Sequence, residues 1–232
     1  MCTIITFDMA FFMANELDAI DRIYDDNKFN SDGLSLVCID PTNRNNDLVL
    51  KSFDVDAIID ALINFSLRSE NPDARIWLHQ RFATGIDKHI GTMHAFTDRQ
   101  GNIVMHNGMF GRGRTEYAVD SFAIPDLVNM SYADEIREAL LRMDETFCNI
   151  FVIRPTDGTY GVVRMKAGTL FTDNKGNFSS KQTATINTPV DSLYAEDYFI
   201  SCTTARSVLD DIEAEEDDKY NSLWREYKNL AY

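Results

Sequence analysis

The stretch TFCNIFVIRPTDGTYGVVRMKAGTLFTD (146–173) decides the fold. Three apolar runs rich in Val, Ile, Phe and Tyr follow one another, split only by Asp157-Gly158 and Ala167-Gly168. Runs of that make-up read as strands, and dipeptides with Gly read as turns. No helical segment separates them, so neighbours can pair antiparallel, whereas parallel strands need a long crossover. The grouping recurs upstream. CTIITFD (2–8), GLSLVCID (33–40) and DLVLKSF (47–53) read as strands, the last two joined by the polar turn PTNRNN. ARIWLHQRF (74–82), GNIVMHNGMF (101–110) and DYFISCT (197–203) add three more. Strands that cluster, rather than alternating strictly with helices, argue for an α+β protein of packed sheets with flanking helices.

The helices announce themselves by period. In 54–70, apolar residues at 55, 58, 59, 62 and 63 follow the i, i+3, i+4, i+7 rule. SYADEIREALLRMD (131–144) has Ser131 as a cap and apolar 136, 139, 140 and 143 on one face. Residues 12–27 read as a looser helix. The tail 219–232 carries Tyr220, Leu223, Trp224, Tyr227 and Leu230 as an amphipathic stripe. No repeat or Pro-, Gly- or Ser-rich linker divides the chain.

The formal charge of −15 weighs against a nucleic-acid binder, which needs a basic surface. Seven carboxylates crowd DDIEAEEDD (210–218), a run that ordinarily reads as a solvated segment. Cysteines at 2, 38, 148 and 202 show no CxxC spacing, so neither a zinc nor a redox motif is supported, and reduced thiols in cytosol are expected. There is no basic leader and no 18-residue apolar run. A cytoplasmic protein, away from membranes, is the expectation.

Four short pieces then stand out: Cys2, HQRFATG (79–85), MHAF (93–96) and VMHNGMF (104–110). Singly, each has an ordinary reading. Cys2 opens an edge strand, Arg81 makes an ion pair, and Asn107-Gly108 makes a turn. Gly-rich GMFGRGR (108–114) lacks the Lys-Ser/Thr of a phosphate cradle.

Together the pieces resemble the class II (N-terminal nucleophile, Ntn) glutamine amidotransferases. That family begins, after maturation, at a Cys in a short strand. It then carries Arg-Trp/Phe-Ala-Thr-His-Gly, His-Pro and Val-His-Asn-Gly. Here the matching residues are Cys2-Thr3-Ile4, Arg81-Phe82-Ala83-Thr84-Gly85, His94-Ala95 and Met105-His106-Asn107-Gly108, with intervals of 13 from Arg81 to His94 and 26 to Asn107. Asp120-Ser121 resembles the family's later Asp motif. Thr3, Gly85 and Ala95 depart from the pattern; they alter the walls of the site rather than its chemical groups.

The resemblance spans 2–205 and implies a four-layer αββα sandwich of two stacked antiparallel sheets over 1–205. Residues 206–232 would be an acidic segment and a C-terminal helix packed on the same domain or on a partner. It implies a glutaminase with Cys2 as nucleophile and Asn107 and Gly108 as oxyanion donors. Arg81, Phe82, Thr84, His94 and Asp120 would bind glutamine. No metal and no organic cofactor are implied. The expected partners are glutamine, a separate synthetase or acceptor chain, and a second copy of the chain. The chemistry is coherent. A thiol near pKa ~8.5 beside an α-amine near ~7.7–8.0 gives nucleophile and base on one residue once Met1 is removed. Two further readings stay open: an amidohydrolase for another linear amide, and a non-catalytic acidic interaction protein on the same scaffold.

Overall fold

The grouped strands build two antiparallel sheets. The computed structural model describes residues 2–83, 88–108, 121, 124–127, 148–155, 159–165, 169–173, 175–190 and 197–202. In chain order the elements are β1 (Thr3–Asp8), α1 (Met9–Ala14), α2 (Glu16–Asn27), β2 (Leu34–Ile39), β3 (Leu48–Ser52), α3 (Val55–Arg68), β4 (Arg75–Gln80), β5 (Phe96–Thr97) and β6 (Ile103–Gly108). There follow α4 (Ile124–Leu127), β7 (Cys148–Arg154), β8 (Thr159–Met165), β9 (Phe171–Thr172), β10 (Phe178–Ser179), β11 (Thr188–Pro189) and β12 (Asp197–Cys202). The first sheet has seven strands in the order β11-β9-β10-β1-β4-β2-β3, and the second has five in the order β12-β8-β7-β6-β5.

Side chains alternate across a strand, and here both faces of the first sheet are covered. Phe7 of β1, Leu34, Leu36 and Cys38 of β2, and Ile76 and Leu78 of β4 pack with Phe12, Ile23, Ile58, Leu62 and Phe65 from the helices. The other parity of the same strands brings Ile4, Val37, Ile39 and Trp77 against Ile103, Met105, Phe151, Ile153 and Val162 of the second sheet. Helix layer, first sheet and second sheet are thus stacked. The helix expected over 131–144 lies outside the described residues, as do the acidic run and the C-terminal stripe.

α3 follows its pattern closely. Asp54 accepts from Asp56 N–H at 3.0 Å as its cap, and the helix ends at extended Ser69. Ile58, Ile59, Leu62 and Phe65 are its buried stripe. Full burial of such side chains stabilises by about 1.5–3 kcal/mol each. The expected helix at 12–27 is instead two helices that start earlier. Asp8 caps α1 by accepting from Phe11 N–H at 2.6 Å. Asn15 then leaves helical geometry (φ −134°, ψ 28°) and donates from Nδ2 to Phe11 O, turning the chain into α2. Ser, Asp and Asn compete with the helical backbone in this way. Among the described residues no helix is long and apolar enough to cross a membrane.

Candidate active site

Because β1 and β4 run antiparallel with Thr3 opposite Gln80, the residue before β1 lands beside the residues after β4. Cys2 Sγ accepts from Phe82 N–H at 3.3 Å and lies 3.6 Å from Phe82 O, to which the thiol donates. Burial pushes the Cys2 thiol up, against the pull of the Phe82 N–H, the amino-terminal charge and Arg81. Phe82 itself stays exposed, and Cys2 is half-buried.

Arg81 is buried to 7 % exposure beside it. Its N–H donates to Gly33 O at 2.8 Å, and Asp32 N–H donates to Arg81 O at 3.1 Å. Its Nη1 donates to Thr92 Oγ1 at 2.9 Å. The remaining guanidinium N–H groups have no hydrogen-bond partner among the described residues. Asp32 accepts from Ala83 N–H at 2.7 Å and pairs with Lys88. Burial raises the Asp32 pKa, but the Lys88 contact, the Ala83 N–H and Arg81 outweigh it and hold the carboxyl below its ordinary value.

A strap at 92–96 lies over the inter-sheet side of the first sheet. Thr92 holds Arg81. Met93 packs so tightly on Gly33 that a Cβ there would come within 2.4 Å of its Cε, and Gly33 has φ +131°, which also calls for glycine. Lys51 Nζ, reaching from β3, donates to Met93 O at 2.9 Å and lies 5.3 Å from the Phe96 ring centroid. Burial lowers the pKa of Lys51. His94 packs its ring 4.3 Å from that of His79 and 4.6 Å from Phe96. Both of its ring nitrogens are buried without a hydrogen-bond partner among the described residues. Burial, then the neighbouring His79, His106, Lys51 and Arg81, hold His94 well below the ordinary imidazole range, so it is neutral.

Asn107 and Gly108 end β6, the strand of the second sheet that packs against β1. Asn107 is buried to 4 % exposure, and its Oδ1 has no partner among the described residues. Gly108 is exposed with φ +144°, a backbone geometry that a side chain would strain. Beside them, His106 shares a 2.8 Å hydrogen bond between Nδ1 and Ser121 Oγ.

The structure therefore brings Cys2, Arg81 and Phe82 into one cluster, sets His94 behind Arg81, and puts Asn107 and Gly108 on the facing sheet. Thr84 and Asp120 lie outside the described residues. The sequence reading passed over Asp32, Gly33, Lys51, Thr92 and Lys88, which fix the ends of β4 and the strap. Asp32-Gly33 was a visible turn signal; the others had none. Among the described residues no group of three or more His, Cys, Asp or Glu is placed to hold a metal.

No protein-family model and no curated protein matches the chain. Solved structures do. One is a glutamine aminotransferase class-II domain protein from Silicibacter pomeroyi, 11 % identical, with 89 % of this chain and 98 % of that one covered at a TM-score of 0.46.

Proposed function

We propose that this chain is a class II, N-terminal-nucleophile glutaminase on a four-layer αββα scaffold. The observation that carries the reading is the placement of the Cys2 thiol against the Phe82 backbone, next to a buried Arg81 with N–H groups to spare. Removal of Met1 frees the α-amine of Cys2. That amine takes the thiol proton as Sγ attacks the side-chain carbonyl of glutamine. The need for a base is real, because burial works against spontaneous ionisation of this thiol. Asn107 Nδ2–H and Gly108 N–H donate to the oxyanion as it forms.

The C–N bond then breaks, the ammonium on Cys2 returns the proton, and ammonia leaves a γ-glutamyl thioester. Water, deprotonated by the same amine, attacks the thioester; the C–S bond breaks and the thiol recovers its proton with release of glutamate. Arg81 pairs with the substrate α-carboxylate in a forked contact, and Asp120 with its α-ammonium. Phe82, Thr84 and His94 shape the walls. The neutral state of His94 suits it to a wall rather than to holding charge. No metal or organic cofactor takes part. Ammonia passes to an acceptor on another chain or is released, and cytoplasm is the setting that fits its free thiols.

The test pairs mass spectrometry of the mature N-terminus with an ammonia-release assay on glutamine. Active protein should begin at Cys2, and Cys2→Ala should lose ammonia release with unchanged circular dichroism. Undiminished turnover in Cys2→Ala, or full activity in protein that keeps Met1, overturns the reading.

A further inference from the structure

Arg81 is fixed at both ends, by different parts of the chain. Its backbone is held by Asp32 and Gly33, just before β2. Its far end meets a hydroxyl: Nη1 donates to Thr92 Oγ1 at 2.9 Å. Both side chains are deeply buried. The hydroxyl is itself oriented. It has one proton, which it donates to His89 O at 2.7 Å, so it turns a lone pair to Arg81.

A short turn sets the place of that hydroxyl. Ile90–Thr92 is a single 3-10 turn, capped by the His89 ring, whose Nδ1 accepts from Gly91 N–H at 2.9 Å. Thr92 N–H donates to His89 O at 2.9 Å, and Met93 N–H to Ile90 O at 3.2 Å. Met93 is held in turn by its packing on Gly33 and by the bond from Lys51 to its carbonyl. Gly33 thus touches both partners, Arg81 through its carbonyl and the strap through its missing side chain. A group held by packing and by outer hydrogen bonds is placed before substrate arrives.

The nitrogen that Thr92 takes matters. A guanidinium can grip a carboxylate side-on, through Nε–H and Nη2–H, or end-on, through its two Nη groups. The bond from Nη1 to Thr92 leaves the side-on fork whole. We propose that Thr92 is a positioning residue: through Nη1 it turns Arg81 so that the Nε–Nη2 edge meets the substrate α-carboxylate, and it thereby sets the preference for an α-amino acid amide over an amide without that carboxylate. The inference rests on the glutaminase reading and adds to it the residue that tunes the substrate class.

The test is steady-state ammonia release by the full chain. Glutamine gives KM and kcat. Its counterpart without the α-carboxylate, 4-aminobutanamide, gives a Ki as competitor. Thr92→Val keeps the shape of the side chain and removes the hydroxyl, and Thr92→Ser keeps the hydroxyl. In Thr92→Val the KM for glutamine should rise about tenfold, the loss of one bond to a charged group. Its kcat and the Ki of the competitor should move by less than about twofold. Thr92→Ser should bring KM back to within about threefold of the wild type. Melting by circular dichroism checks the fold, and if Thr92→Val does not fold, Thr92→Ala carries the same expectations. An unchanged KM for glutamine in the variant without the hydroxyl, a rise matched by the Ki of the competitor, or a defect that Thr92→Ser shares at an unchanged melting temperature overturns the inference and leaves the glutaminase reading standing. No ammonia release from glutamine by wild-type protein that begins at Cys2 overturns the glutaminase reading and the inference with it.

Discussion

The two faces of the first sheet are equally dry and chemically opposite. Toward the helices, Leu36, Ile76 and Leu78 are at most 1 % exposed and belong to one apolar cluster. Toward the second sheet, the same strands present Thr6, Ser35, Trp77 and His79, also at most 1 % exposed. Each of these four has a buried polar atom without a hydrogen-bond partner among the described residues. Leaving such an atom unpaired costs about 1–3 kcal/mol. The difference teaches where stability and chemistry reside. The helix face packs apolar side chains against α1, α2 and α3. The inter-sheet face carries a polar row along β4 from Trp77 through His79 to Arg81, and it ends at the thiol.

The most severe test of that division is Leu36→Ala. It should lower stability by about 2–5 kcal/mol in chemical denaturation, while glutamine turnover at low temperature survives. A parallel collapse of turnover in still-folded protein would break the division. Asn107→Ala reverses the pattern. It should reduce kcat about 10²–10³-fold, with little change in KM or melting temperature. A change in KM alone would move Asn107 from the proposed oxyanion donor to substrate binding.

The third test is acid. Burial, aided by the nearby His106 and Arg81, lowers the pKa of His79 to about 3. In the unfolded chain it titrates near ~6.5. Between these values the unfolded state binds more protons, so stability is fully present above about pH 6.5 and falls as the pH drops toward 3. His79→Gln should flatten that slope in denaturation midpoints taken across the range. An unchanged slope would remove His79 from the acid response. Ser35→Ala is the mildest change. Deleting a hydroxyl that has no partner among the described residues should shift stability by no more than about 1 kcal/mol, in the stabilising direction. A loss as large as that of its neighbour Leu36→Ala would show that the inter-sheet face bears load as well.

Much of this contrast could be read before any coordinates. In RIWLHQ (75–80) the alternation of Ile76 and Leu78 with Trp77 and His79 is already a two-faced strand, and α3 is plain from its period. The break at Asn15 was hidden, because one side-chain bond to Phe11 O decides it. The two-residue strands β5, β10 and β11 were hidden too, whereas β9 lies in the third run of 146–173. The hidden three exist through their partners, not through their own composition. Within the candidate site, Cys2, Arg81 and Asn107 were found through motif spacing, whereas Thr92 and Lys51 act through contacts between segments 11 and 42 residues apart. No local pattern encodes such contacts.

The tie from Lys51 to Met93 also bears on the edge of the first sheet. Among the described residues β3 is the last strand of its sheet, with Val49 52 % exposed. A hydrophobic five-residue edge of this kind invites strand addition. Lys51 keeps a charge on that edge, half-buried and anchored across the strap, where an incoming strand would have to dehydrate it without offering a counter-charge. The residue that ties the strap to β3 therefore also puts a half-buried ammonium on the outermost described strand of the sheet.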